Sequence, residues 1–133
     1  MVKMRRKFIK LQSEKPRVKR FPLLKLPTNR CWFLSFPYID SGADVTLIPL
    51  SMGRLLGWEV DESKIQQIGG IRGSIPVIYI KNQMKIGEEE FSTQIAWSLI
   101  EDVPPLLGRK DVFDIFRVIF EQYNKFIIFE KRL

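Results

Sequence analysis

The chain of 133 residues contains no histidine. That absence excludes Ser-His and Cys-His nucleophilic mechanisms and every histidine-ligated metal site. With Cys31 as its one cysteine, the chain has no internal disulfide and lacks the ligands for a structural zinc, in keeping with a reducing compartment. No cofactor or metal is expected. No apolar run approaches the roughly 20 residues that span a bilayer, and the opening MVKMRRKFIKLQSEKPRVKR lacks the apolar middle of a secretory signal. No membrane partner is expected, and the expected location is cytoplasmic. Internal repeats and low-complexity segments are also missing. If the chain is an enzyme, carboxylates or lysines carry its chemistry.

The residues that are present, 45% hydrophobic and 28% charged, describe an ordinary globular domain with a modest core. The net charge of +7 is unevenly placed. Residues 1–30 hold 11 bases against one acid, a net of +10, which leaves 11 bases against 14 acids, a net of −3, in the remainder. The basicity belongs to an arm. We read residues 1–20 as a basic N-terminal arm or outer strand and 21–133 as the domain. Such an arm can hold nucleic acid through phosphate contacts. No aromatic interleaving or recognition helix accompanies it, which favours a solubilising extension or a charged edge strand that resists aggregation.

Along the chain the pattern is one of short strands broken by turn residues. Strands are expected over 4–11, 21–26, 31–39 and 45–48, the second and third joined by a Pro-Thr-Asn-Arg turn. A brief helical turn over 51–56, capped by Ser51 and ended by Gly57, follows. From Ile65 the strand pattern returns as IQQIGGIRGSIPVIYI and MKIGEEEFSTQIAW, with Ile-Gly-Glu as a hairpin turn. One short helix is expected over 109–115, then two strands in FRVIFEQYNKFIIFE joined at Tyr-Asn-Lys. Glu88, Glu89 and Glu90 read as a solvated turn. Trp32, Trp58 and Trp97 are too dispersed for a stacking platform and read as packing residues. The fold class is all-β with one short helix.

Three short motifs stand out. Asp40-Ser41-Gly42-Ala43-Asp44 follows an apolar strand, Ile68-Gly69-Gly70-Ile71-Arg72-Gly73 lies in a hairpin pattern, and Leu106-Leu107-Gly108-Arg109 leads into the helix. A carboxylate between apolar residues and a turn is costly to desolvate unless it is paired or does chemistry. Taken singly, Asp-Ser-Gly is also a common turn cap. In this order and spacing the three motifs resemble the retropepsin-like (retroviral-type, single-domain) aspartic proteases, over about residues 21–130.

That resemblance implies a closed, barrel-like acid-protease fold with a flap hairpin, acting as a homodimer on polypeptide substrates. It implies Asp40 as the catalytic carboxylate, Ser41 as a hydrogen-bond grip between the two copies, and Gly42 as the point where backbone approaches substrate. Tyr38, Ala43, Asp44, Val45, Leu47, Ile68, Ile71, Pro104 and Leu106 would line the substrate cleft, with Gly69 and Gly70 in the flap. Leu47 and Leu106 read equally well as core. Arg109 would support the loop through an ion pair with Asp44, a buried pair of the kind whose breakage costs about 3 to 5 kcal/mol. Because the chain has one Asp-Ser-Gly and a carboxylate pair needs two, the active site is expected at a two-fold interface. The implied activity is aspartic endopeptidase cleavage between hydrophobic residues, by a water that the paired Asp40 carboxylates activate. The other reading is a retropepsin-like dimerisation or peptide-binding module with little or no catalysis. Arg72, at a flap position where viral members often have glycine, and the long C-terminal strand pair depart from the viral pattern.

Overall fold

The computed structural model describes residues 8–12, 23–25, 32–35, 37–70, 73–121, 123 and 126–131. Among them are eleven strands in two sheets. The larger is built on β7 (Gly73–Ile86) and β8 (Glu89–Ser98), an antiparallel pair running from Val77↔Ser98 to Ile86↔Glu89. Their alternation sends Ile78, Met84, Ile86, Ile95 and Trp97 to one side, all buried. The two-residue connection starts at Gly87 with φ +59°, the positive dihedral such hairpins require at their first central position.

Around this hairpin the sheet is completed by β2 (Leu23–Lys25), β3 (Trp32–Leu34), β4 (Tyr38–Ile39), β5 (Thr46–Ile48) and β9 (Leu106–Leu107), in the order β3-β2-β7-β8-β5-β9-β4. A further strand, β6 (Gln66–Gly70), pairs with the first residues of β7, from Gln66↔Val77 to Gly70↔Gly73. The second sheet joins β1 (Phe8–Gln12), β11 (Phe126–Lys131) and β10 (Phe116–Glu121), with β11 central. The two sheets meet through aromatic edges. Phe91 stands edge-on to Phe116 at 6.2 Å, and Phe116 to Phe129 at 5.6 Å, geometries that the ring quadrupoles favour.

Two short α-helices accompany the strands, one more than the single helix expected, although the first falls on the anticipated helical turn. α1 (Leu50–Leu55) starts from Pro49 rather than from Ser51. The Ser51 amide and hydroxyl instead donate to Glu101, at 2.8 and 2.6 Å, so a carboxylate from a distant loop occupies the helix start. Gly57, at φ +83°, ends the turn as expected. α1 lies against Trp97, whose indole N–H donates to the Leu50 carbonyl at 3.1 Å. The second helix, α2 (Val112–Ile115), starts three residues later than expected, because Asp111 takes a left-handed φ of 65° just before it. A 3₁₀ turn over Glu62–Lys64 was not anticipated; the Asp61 carboxylate caps it by accepting from the Ser63 amide.

The expected strand over 31–39 is two strands. Pro37 has no N–H to offer a ladder, and the chain changes partner there from β2 to β9. The all-β class stands. Glu88 and Glu90 are exposed as expected, whereas Glu89 is half-buried and bonds the Lys131 ammonium at 2.7 Å. Trp97 is fully buried, with Trp58 edge-on at 5.9 Å. The turn at Asn124 and Lys125, Cys31 and residues 1–7 lie outside the described residues.

Candidate active site

β4 delivers Asp40 to the end of the larger sheet. It runs parallel to β9, with Tyr38 opposite Leu106 and Ile39 opposite Leu107. The ladder is extended by the Tyr38 amide donating to the Pro105 carbonyl at 2.9 Å and the Asp40 amide to the Leu107 carbonyl at 3.0 Å. The chain then turns. The Ala43 amide donates to the Asp40 carbonyl at 3.2 Å, and the Gly42 amide to Asp40 Oδ1 at 2.8 Å, an Asx turn of the kind aspartate favours. After it, β5 runs antiparallel to β9, with Leu47 opposite Leu106. β4 and β5 are thus two arms of one wide turn, with β9 threaded between them.

The threading is tight. A β-carbon on Gly108 would fall on the carbonyl group of Val45 and 2.9 Å from the Thr46 nitrogen, so only glycine fits. The buried Gly108 amide donates to Thr46 Oγ1 at 3.1 Å. The Arg109 and Lys110 amides donate to the Ala43 and Asp44 carbonyls, both at 2.9 Å. Residues 107–110 therefore hold the Asp-Ser-Gly loop from both sides, through Asp40 before it and Ala43, Asp44 and Thr46 after it.

Asp40 itself is half-buried. One carboxylate oxygen accepts from Gly42, and the other has no partner among the described residues. A β-carbon at Gly42 would press to 3.2 Å from that bonded oxygen. Ser41 is exposed, with its hydroxyl unengaged among the described residues. The Arg109 guanidinium bonds the Asp44 carboxylate. The pair is made as expected but it is not buried: the two side chains are 52% and 82% exposed in the single chain. Water screens such a pair, and its worth falls from the several kcal/mol expected to about 1 kcal/mol or less.

Alternation along the strands sorts the remaining residues. Ile39, Thr46, Ile48 and Leu107 face the core, which leaves Tyr38, Leu47 and Leu106 on the other face, half-exposed or exposed. Through the register they form one row, Tyr38 to Leu106 to Leu47, continued by Ala96 and Tyr79. Ala96 and Tyr79 were missed by sequence reasoning, since the row exists only once β5 lies beside β8. Thr46 was missed too; the polar residue in an apolar run was its signal. Ala43 and Val45 are half-buried in the turn and Pro104 is exposed before β9. Ile68, Gly69 and Gly70 lie on the β6–β7 hairpin, joined to this face through β7. Ile71 and Arg72 lie outside the described residues.

No protein-family model and no curated protein sequence matches the chain. Among solved structures, it is similar to a retropepsin-like aspartic protease from Rickettsia conorii, at 16% identity over 98% of each chain with a TM-score of 0.60. It is also similar to EIAV protease in complex with an inhibitor, at 20% identity over 68% of this chain and 83% of that one, with a TM-score of 0.51. Identities of this size speak to architecture, and on that ground the chain has the retropepsin-like fold.

Proposed function

We propose that the protein is an aspartic endopeptidase that works as a homodimer, with Asp40 of each copy facing the other across a two-fold axis. The observation that carries the reading is the placement of the chain's one Asp-Ser-Gly. It sits at the crossing of β4, β9 and β5, in a fold shared with one protein named as a retropepsin-like aspartic protease and another named as EIAV protease, with one Asp40 oxygen pinned by Gly42 and the other unengaged among the described residues.

The chemistry follows from two like charges held close. Adjacent carboxylates share one proton, and the pair titrates as a unit. The ionised member takes a proton from water as its oxygen attacks the peptide carbon. The protonated member gives its proton to the carbonyl oxygen, forming a tetrahedral diol. Collapse of the diol breaks the C–N bond, with the amine leaving protonated and the shared proton restored. One chain supplies half of this, so a monomer is inert. Ser41, exposed beside the axis, bonds across to its twin. The half-exposed row of Tyr38, Leu106 and Leu47 receives hydrophobic side chains flanking the cleaved bond. The hairpin bearing Gly69 and Gly70 closes over the substrate as a flap.

A second reading, a binding module without catalysis, draws support from the Asx turn, which gives Asp40 a structural task. Asp40→Asn separates the two, because asparagine Oδ1 still accepts from Gly42 while the charge is gone. Peptide cleavage between pH 3 and 7 is expected to fall at least about a hundredfold in this variant with its melting temperature held. Wild-type turnover is expected to respond to a statine-type transition-state mimic and to lose specific activity on dilution. Equal cleavage by variant and wild type would end the catalytic assignment.

A further inference from the structure

A groove of about 470 Å³ lies beside the candidate cleft, lined by Tyr79, Lys81, Ser92, Gln94, Lys110 and Asp111. It adjoins the cleft at two points. Tyr79 stands opposite Ala96, which neighbours Leu47 in the apolar row. Lys110 follows Arg109, and its amide donates to the Asp44 carbonyl at 2.9 Å. The groove thus lies on the same sheet face as the row, separated from Leu47 by the buried Ala96.

Its lining is rich in donors. Lys81 stands opposite Gln94 across the strands, and Gln94 holds the Lys110 ammonium at 2.8 Å. Two of the three ammonium donors of Lys110 remain to be used. The Lys81 ammonium and the Tyr79 and Ser92 hydroxyls have no partners among the described residues. Against two lysines stands one carboxylate, Asp111, so the lining carries a net positive charge.

We infer that this groove is an outer subsite that selects an acidic side chain in the peptide substrate, at a position removed from the cleaved bond on the Asp44 flank. The inference rests on the peptidase reading for its ligand. A glutamate carboxylate, acceptor-only when ionised, matches the free ammonium donors of Lys81 and Lys110 and the Tyr79 and Ser92 hydroxyls, which can donate. Hydrophobic preference at the cleaved bond and acidic preference farther out then come from adjoining parts of one sheet face. Asp111, in the same lining, weakens the attraction.

The test separates the subsite from catalysis by using binding. Fluorescein-labelled peptides with glutamate or glutamine scanned through the positions flanking a hydrophobic pair are titrated into the Asp40→Asn protein at pH 6 and low salt. At one position glutamate is expected to bind about fivefold tighter than glutamine, as befits a partly screened charge pair. Lys81→Gln with Lys110→Gln brings the ratio to one, Lys81→Glu with Lys110→Glu reverses it in favour of glutamine, and Asp111→Asn raises it. Lys81, Lys110 and their substitutes are exposed, so folding is not at stake. A ratio near one at every position, or a preference that survives the lysine substitutions, overturns the subsite. So does an oligonucleotide that displaces the peptide with the same lysine dependence. Wild-type protein that cleaves no peptide would sink the peptidase reading while leaving the binding result readable.

Discussion

Replacing Gly108 by alanine tests the crossing on which the site is built. The new β-carbon would fall on the Val45 carbonyl and 2.9 Å from the Thr46 nitrogen, inside the 3.0 Å that β-carbons essentially never breach. Both neighbours are backbone, so the strands themselves must part. Parting stretches three hydrogen bonds: Gly108 amide to Thr46 Oγ1 at 3.1 Å, and the Arg109 and Lys110 amides to Ala43 and Asp44 at 2.9 Å. At about 1 kcal/mol each, with about 1 kcal/mol or more for overpacking, the loss is about 4 kcal/mol. For a domain of this size that lowers the melting temperature by about 12 °C. Circular dichroism melts at fixed protein concentration read it directly. Gly69→Ala is the control, since nothing lies within 4 Å of its added carbon, and its effect stays within about 1 kcal/mol. A Gly108→Ala protein within about 3 °C of wild type would refute the argument that the threading is closed to any side chain.

Two further substitutions probe the elements behind the site. Gly53→Ala drives a β-carbon into the Trp97 indole and severs its bond to Leu50, at a cost of about 3 kcal/mol; the check is a lowered melting temperature with red-shifted tryptophan emission, and unchanged emission would count against it. The Ser51 hydroxyl, then the Ser51 amide, hold the Glu101 carboxyl below its ordinary value of 4.5. A lowered folded-state value means that this bond stabilises fully above about pH 4.5 and is lost as acid protonates the folded carboxylate. The stability gap between wild type and Glu101→Gln is therefore constant near neutrality and narrows below pH 4.5, and urea titrations showing a gap flat down to pH 3 would contradict it.

The site was legible where it is written in consecutive residues. Asp40-Ser41-Gly42 and Leu106-Leu107-Gly108-Arg109 were recognisable because a tight turn and a close backbone approach each demand particular residue types at fixed spacing. What they do to one another was not legible. No local pattern announces that β9 threads between β4 and β5, two strands adjacent in sequence. Nor does the charge of Asp44 and Arg109 reveal that the pair is exposed, which cut its worth below expectation. Residues 31–39 alternate well enough to read as one strand, and only the change of partner at Pro37 divides them. Ser51 looked like a cap, but its partner comes from Glu101, fifty residues on. The groove lysines are invisible in sequence for the same reason, since Lys81 and Lys110 meet at Gln94 only through strand register.

The small sheet carries a consequence for how the chain is made. Its middle strand, β11, is the last of the described segments to be synthesised, and it pairs Phe129 with Ile9 near the other end. Closing so long a loop, roughly 120 residues, is entropically the most demanding strand pairing among the described residues. The hairpin of β7 and β8 has all its partners within reach while translation continues. β1 has no β11 to pair with until β11 has emerged, and Lys10 within it, together with the basic residues on either side in the sequence, keeps that waiting strand from meeting another nascent chain first.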